Sequence, residues 1–265
     1  MHITSRDNSL LRQARAVRDG KVDELIYVEG LRLVDEALRS GLVIDAVIYS
    51  EQIARKENAA RLIEAVSAVA HRTASVSEKL LESISYTKTP QGIVVLAQRP
   101  DSSVQRLAEA VDSASLLVIL HQLNNPVNVG AILRTAEAAG VAGIITTQHT
   151  SDPFSPKALR GAMGSAFRLP IWRDVEYPEA IDWCHNRNIP TICTDASGAT
   201  PYTAIDWTAS AALILGPEST GLDASELTAA QTIIAIPMHG AVESLNVSVA
   251  AGIVLFEAVR QRGSA

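Results

Sequence analysis

From Leu116 onward the chain alternates short, almost purely apolar runs with stretches of helical spacing, and this alternation limits the fold more than any other feature. Residues 116–120 read Leu-Leu-Val-Ile-Leu and residues 212–215 read Ala-Leu-Ile-Leu, with no polar position inside either run. A strand with one wet face alternates apolar and polar residues. A strand apolar at every position has to be covered on both faces, as in a mostly parallel sheet between two layers of helices. The predicted strands are Leu116 to Leu120, Gly143 to Thr147, Thr191 to Thr194, Ala212 to Leu215 and Ile233 to Pro237, which makes the class α/β. Ligands of such sheets bind where loops leave the carboxyl ends of strands.

The first hundred residues read as a second, smaller α/β unit. Glu24 to Glu29 is predicted as a strand, Leu31 to Arg39 as a helix ended by Ser40-Gly41, and Val43 to Tyr49 as a strand. Asn58 to Ala70 and Ser77 to Ser83 follow as helices, and Gly92 to Ala97 as a β-branched strand. A chain of 265 residues exceeds the usual single-domain length of about 100–200. The expected division is a domain over 1–98, a connection over 99–114 and a domain over 115–265.

With 47% hydrophobic and 20% charged residues the chain is not dominantly disordered. Its longest apolar stretch, Val247 to Phe256, is interrupted by Ser248 and Gly252 and falls short of the roughly 18 residues of a membrane span. No signal-type apolar segment follows Met1, and the two cysteines, Cys184 and Cys193, have neither metal-ligand nor redox spacing. A cytoplasmic protein without a metal site is expected. Residues 1–100 carry 14 basic against 13 acidic side chains, whereas 101–265 carry 9 against 16, so the net charge of −6 sits in the second half. Arg6, Arg12, Arg15, Arg18 and Lys21 outnumber Asp7 and Asp19 on a predicted helix, which is either a solvated face or a contact for a polyanion.

Three loops stand out. The first, Asn124-Asn125-Pro126-Val127-Asn128-Val129-Gly130, opens a helix of small and apolar residues that carries one cation, Arg134. A guanidinium cannot shed its charge, so Arg134 pairs with a carboxylate or meets an anionic ligand. The second, Gly216-Pro217-Glu218-Ser219-Thr220-Gly221, sets a carboxylate between two glycines, ahead of a capping-box pattern at Asp223 and Glu226. The third runs from Ile236 through Met238 and Ser244-Leu245-Asn246 into a small-residue helix ending near Arg260. None of them is a Gly-x-Gly-x-x-Gly fingerprint, a phosphate-binding Lys loop or a zinc signature, which disfavours an oxidoreductase on a related sheet.

In this order and spacing the three loops resemble the three motifs of the SpoU (TrmH-type) family of RNA ribose 2′-O-methyltransferases, over about residues 116–260. Residues 1–98, with Tyr27-Val28-Glu29-Gly30-Leu31-Arg32-Leu33-Val34 and Thr89-Pro90-Gln91-Gly92-Ile93, are similar to that family's amino-terminal substrate-binding domain, itself like a small ribosomal RNA-binding protein. The resemblance implies a carboxyl-terminal domain with a deep trefoil knot, a homodimer whose sites are completed across the interface, and S-adenosylmethionine as cofactor. It favours 23S ribosomal RNA as substrate over transfer RNA. A transfer-RNA 2′-O-methyltransferase and a catalytically silent RNA-binding or ribosome-assembly factor are the other readings. Carried over by motif position, Gly216, Ile236, Met238, Ser244 and Leu245 would hold the cofactor together with Thr194 and Leu215. Arg134, Glu218, Asn246 and Asn128 fall on the catalytic positions. Arg160, in a further matching segment with Phe167, would contact RNA alongside Arg6, Arg12, Arg15 and Arg18. Pro217 stands where many members have Asn, and Gly161-Ala162 where Ala-Ser is frequent.

Overall fold

A computed structural model of the chain describes residues 1–217, 220–239 and 244–263. It divides into two compact units, Met1–Pro100 with Pro153–Arg168, and Asp101–Asp152 with Leu169–Ala265.

The first unit begins β1 (His2–Ile3), α1 (Ser9–Arg18), β2 (Leu25–Glu29), α2 (Leu31–Arg39) and β3 (Ile44–Ser50). It continues α3 (Glu57–Val69), β4 (Arg72–Val76), α4 (Glu78–Ile84) and β5 (Ile93–Gln98). Its sheet runs β1-β4-β3-β5-β2, with β5 antiparallel to both of its neighbours. Asn8 caps α1 by accepting from the Leu10 N–H at 2.9 Å, and the helix buries Leu10, Leu11, Ala14 and Val17 in the core beside Tyr27, Ile48 and Leu96. Glu29 is a buried carboxylate and is satisfied as one has to be: the Thr87 hydroxyl donates to it at 2.6 Å and the Tyr86 N–H at 2.8 Å. The two sequence passages around Gly30 and Gln91 meet here. Gly30 has φ +99°, and a Cβ on it would lie 2.8 Å from Gln91 Oε1, which accepts from the Leu31 N–H.

The second unit begins with α5 (Val104–Ala110), β6 (Leu116–Leu120), α6 (Pro126–Ala138) and β7 (Gly143–Thr147). The chain then forms α7 (Pro156–Ala162) and α8 (Ser165–Arg168), which belong to the first unit. It resumes with β8 (Ile171–Val175), α9 (Tyr177–His185), β9 (Thr191–Thr194) and β10 (Thr200–Pro201). Last come β11 (Ala211–Leu215), α10 (Ala224–Ala229), β12 (Thr232–Ala235) and α11 (Val247–Arg262). Among the described residues the sheet has seven strands in the order β10-β12-β9-β11-β6-β7-β8, and every neighbouring pair is parallel. All five residues of β6 and of β11 are buried, as continuous apolar runs require.

The units differ from the expected boundaries in two places. The stretch 99–114 is not a bare connection: it carries α5, whose Leu107 is fully buried in the second unit's core with Leu117, Ile119 and Ile145. Residues 153–168 leave the second unit because α7 buries Ala158, Leu159 and Ala162 and packs on β2, while Arg168 pairs with Glu36 at 2.6 Å. Among the described residues no helix is long and apolar enough to cross a membrane, and no three His, Cys, Asp or Glu side chains cluster as metal ligands.

Candidate active site

β12, β9 and β11 are consecutive and parallel in the sheet, so their carboxyl ends open on one edge. The loops that leave them, together with the turn into α11, enclose a cleft of about 520 Å³. Thr194 and Asp195 enter it from β9, Gly216, Pro217, Gly221 and Leu222 from the loop after β11, and Ile236 and Met238 from the loop after β12. Ser244, Leu245 and Asn246 close it from the start of α11. Gly216 is required by close packing: a Cβ there would sit 2.8 Å from Leu222 Cγ, so a side chain would push Leu222 out from beneath the loop.

A polar network, exposed at Asp223 and buried at His121, fixes the far side of that loop. Asp223 caps α10 by accepting from the Ser225 and Glu226 N–H groups, and Glu226 Oε2 accepts from the Asp223 N–H at 2.8 Å. These hydrogen bonds, the Ser225 hydroxyl first among them, hold the Asp223 carboxyl below the usual carboxylate range. The second carboxylate oxygen of Glu226 lies 2.9 Å from Nε2 of His121, the residue that follows β6, and His121 Nδ1 lies 2.9 Å from Thr147 Oγ1 at the end of β7. A carboxylate only accepts, so the hydrogen-bond pattern assigns a proton to Nε2. Tyr177 stacks on the imidazole at 4.4 Å between centroids and donates to the Glu226 carbonyl, and burial pushes its hydroxyl pKa upward. Under the cleft, burial pushes the Cys193 thiol up to about 11, with the charge of Asp195 adding to the effect, so this cysteine is an inert thiol.

Asn246 joins two of the sequence loops. Its Oδ1 caps α11 by accepting from the Ser248 N–H at 2.9 Å, and its Nδ2 reaches Asn128 Oδ1 on α6 at 3.3 Å. Asn128 is buried, and its own Nδ2 has no hydrogen-bond partner among the described residues. Such an orphan donor costs about 1–3 kcal/mol unless a group outside the described residues meets it. Arg134 does not line the cleft. It projects from α6 into solvent with no hydrogen bond or ion pair among the described residues.

Of the expected cofactor residues, Thr194, Gly216, Ile236, Met238, Ser244 and Leu245 share the cleft wall. Leu215 does not: its side chain is fully buried in β11, and its carbonyl accepts from the His121 N–H at 2.9 Å. Glu218 lies outside the described residues. Arg6, Arg12 and Arg160 are exposed in the first unit. Arg15 is partly withdrawn, donating to the Arg6 carbonyl, and Arg18 is committed to Asp19 at 2.8 Å and to the Ser85 carbonyl at 3.2 Å. Asp195 and His121 were missed from sequence, and Glu226 was read only as the capping-box partner of Asp223; for Asp195 the available signal was its position directly after a strand end, beside Thr194.

A parallel-sheet crevice of this size, with apolar walls and a few converging polar groups, defines a protein that binds a small organic cofactor or substrate at its strand ends. Comparison with known proteins narrows that class. The chain belongs to the SpoU rRNA methylase family, whose model matches residues 115–256, and the model of an MRM3-like substrate binding domain matches residues 10–95. It is 29% identical to the 23S rRNA (guanosine(2553)-2′-O)-methyltransferase RlmP of Bacillus subtilis, over 86% of each chain. It is 30% identical to a 23S rRNA (uridine(2479)-2′-O)-methyltransferase of Streptomyces viridochromogenes, over 89% of this chain and 82% of that one. Among solved structures, the AdoMet-bound rRNA methyltransferase of Sinorhizobium meliloti superposes with a TM-score of 0.86 at 30% identity, covering 98% of this chain and 97% of that one. The methyltransferase AviRb of Streptomyces viridochromogenes, in complex with AdoMet, gives 0.86 at 29%, covering 97% and 99%.

Proposed function

We propose that this protein methylates the 2′-hydroxyl of a ribose in 23S ribosomal RNA, using S-adenosylmethionine. The observation that supports this most is the convergence of the second and third sequence loops in one cleft, with Asn246 tied to Asn128 of the first. The cleft suits the cofactor. Its volume of about 520 Å³ lies within the roughly 300–1,000 Å³ of small-molecule sites. Ile236, Met238 and Leu245 give a purine a dry wall, and the Thr194 and Ser244 side chains add polar groups. When bound, the cofactor supplies an electrophilic methyl group on a sulfonium.

The chain's own residues then have to orient a weak nucleophile and stabilise the alkoxide as its proton leaves. Arg134 grips the adjacent phosphate and the developing oxyanion as a permanent cation, and the proton passes to phosphate or water rather than to the guanidinium. Glu218 and Asn246, with Asn128, would fix that geometry by hydrogen bonding.

Because Arg134 stands outside the cleft of its own chain, the reading includes a homodimer. Val127 on α6 and Leu245, Val249 and Phe256 at and along α11 are 45%, 38%, 50% and 51% exposed, apolar surface that a second copy would cover. Val127 and Arg134 are seven residues apart on one face of α6, so a second copy seated there brings each Arg134 toward the other copy's cleft. The trefoil knot belongs to the same proposal, supported by the order β12-β9-β11-β6, in which successive strands of the chain return to non-neighbouring places. The first unit, with exposed Arg6, Arg12 and Arg160, would hold the RNA, and a ribosomal substrate places the protein in the cytoplasm. Incubation with labelled S-adenosylmethionine and unmodified 23S or transfer RNA tests the reading. Label is expected in 23S RNA; label in transfer RNA alone would replace the substrate, and a protein that binds RNA but transfers nothing would be a silent assembly factor.

A further inference from the structure

Asp195 is the acid of the described cleft wall, and its two carboxylate oxygens have different fates. Oδ1 is spent locally, accepting from the Ser197 N–H at 2.8 Å and the Ser197 hydroxyl at 2.5 Å. The backbone is pinned as well, through the Asp195 N–H to the Ile234 carbonyl at 2.9 Å and the Gly198 N–H to the Asp195 carbonyl at 3.1 Å. Oδ2 has no hydrogen-bond partner among the described residues and faces Gly221 across the cleft, 3.7 Å from where a Cβ on that glycine would stand. A fixed carboxylate whose second oxygen has no partner among the described residues, set among the apolar side chains of Ile234, Ile236 and Leu222 in the cleft, is an acceptor built for a ligand donor.

The order of strands says which donor. Ile236 and Met238 leave β12, Asp195 leaves β9, and Gly216 and Pro217 leave β11, with β9 between the other two and neighbouring strands about 4.8 Å apart. Beyond β11 lie β6 and its following helix α6, which carries Asn128. A nucleoside cofactor with its base on the apolar β12 side and its sulfur toward the β11 and α6 side has to set its sugar in the middle, because the ribose joins the two. We infer that Asp195 Oδ2 accepts from the ribose hydroxyls of the bound cofactor and so fixes where the sulfonium stands; this rests on the methyltransferase reading above.

Calorimetric titration of the full chain with S-adenosylhomocysteine, its 2′,3′-dideoxy analogue and its deamino analogue tests the assignment without catalysis. Asp195→Asn keeps an acceptor for Ser197, so the turn survives, while the cleft loses its charged acceptor. The variant is expected to bind S-adenosylhomocysteine about ten- to a hundredfold more weakly, the range of one charge-assisted hydrogen bond. The unaltered chain should lose a similar factor on the dideoxy analogue, and the variant should lose nothing further on it. Independent, multiplying losses overturn the inference, as does a coupling that follows the deamino analogue, which would assign Asp195 to the ammonium. Equal affinity of variant and parent also overturns it while leaving the cofactor reading intact, whereas failure of the unaltered chain to bind S-adenosylhomocysteine overturns both.

Discussion

Arg134 is exposed and has no hydrogen bond or ion pair among the described residues, so removing it breaks none of the described internal bonds. Arg134→Ala should therefore keep the melting temperature and the affinity for S-adenosylhomocysteine while lowering methyl transfer by about 100-fold or more, the cost of one lost oxyanion donor. If the proposed homodimer shares its sites, mixing that variant with Asn246→Ala copies should restore part of the rate, because one hybrid site would hold an intact cleft and an intact arginine. An unaffected rate in Arg134→Ala, or no recovery on mixing, contradicts the role or the shared site. At this scale the sequence was legible in which residues meet: Gly216 and Ile236, each directly after a strand, and Asn246, at the head of a helix, line one cleft. It was opaque at Leu215, where an apolar residue before a glycine reads equally as strand core or cleft wall, and the buried environment of β11 decides for core. His121 was opaque because a lone histidine after a strand carries no mark of the Glu226 it meets 105 positions later.

The element that depends most on that pairing is α10, a helix of 6 residues with none buried. Only Leu227 and Ala229 of this helix pack, partly buried, against the core, so its position rests also on the capping box and on the His121 imidazole. Glu226→Ala removes the reciprocal cap and leaves the imidazole N–H unpaired in a buried site, at a cost of about 2–4 kcal/mol. Glu226→Gln retains an acceptor for the Asp223 N–H, and its NH2 can pair with the ring once the imidazole proton moves to Nδ1 and is donated to Thr147 Oγ1, so it should cost clearly less than Glu226→Ala. Denaturant melts of the two variants check this, and equal stability for both contradicts it. The strands legible in advance were those rich in apolar and β-branched residues, β2, β3 and β5 in the first unit and β6, β7, β9, β11 and β12 in the second. β8 was missed because Ile-Trp-Arg-Asp-Val at a sheet edge tolerates charge, and β4 because Arg-Thr-Ala-Ser-Val offers only small buried residues. β1 spans 2 residues and has no periodicity to read.

For the whole molecule, the unit boundary was the least legible feature, since nothing local announces that residues 153–168 complete a core begun at residue 1. A cut after residue 98 would therefore strip Ala158, Leu159 and Ala162 of the sheet they pack on. The truncated chain is expected to aggregate or to melt without a cooperative transition, whereas a chain lacking both 1–100 and 153–168, bridged by a short linker, should behave better in gel filtration. A sharp, unshifted melt for the simple truncation would contradict the division. The central claim, that this cleft serves transfer to a sugar rather than to a base, has a direct chemical readout. A 2′-O-methyl ribose protects its 3′ phosphodiester from alkali, so 23S RNA treated with the protein and labelled cofactor should yield, after alkaline hydrolysis, one labelled alkali-resistant dinucleotide. Label recovered only in mononucleotides with modified bases, or no label at all, would contradict it.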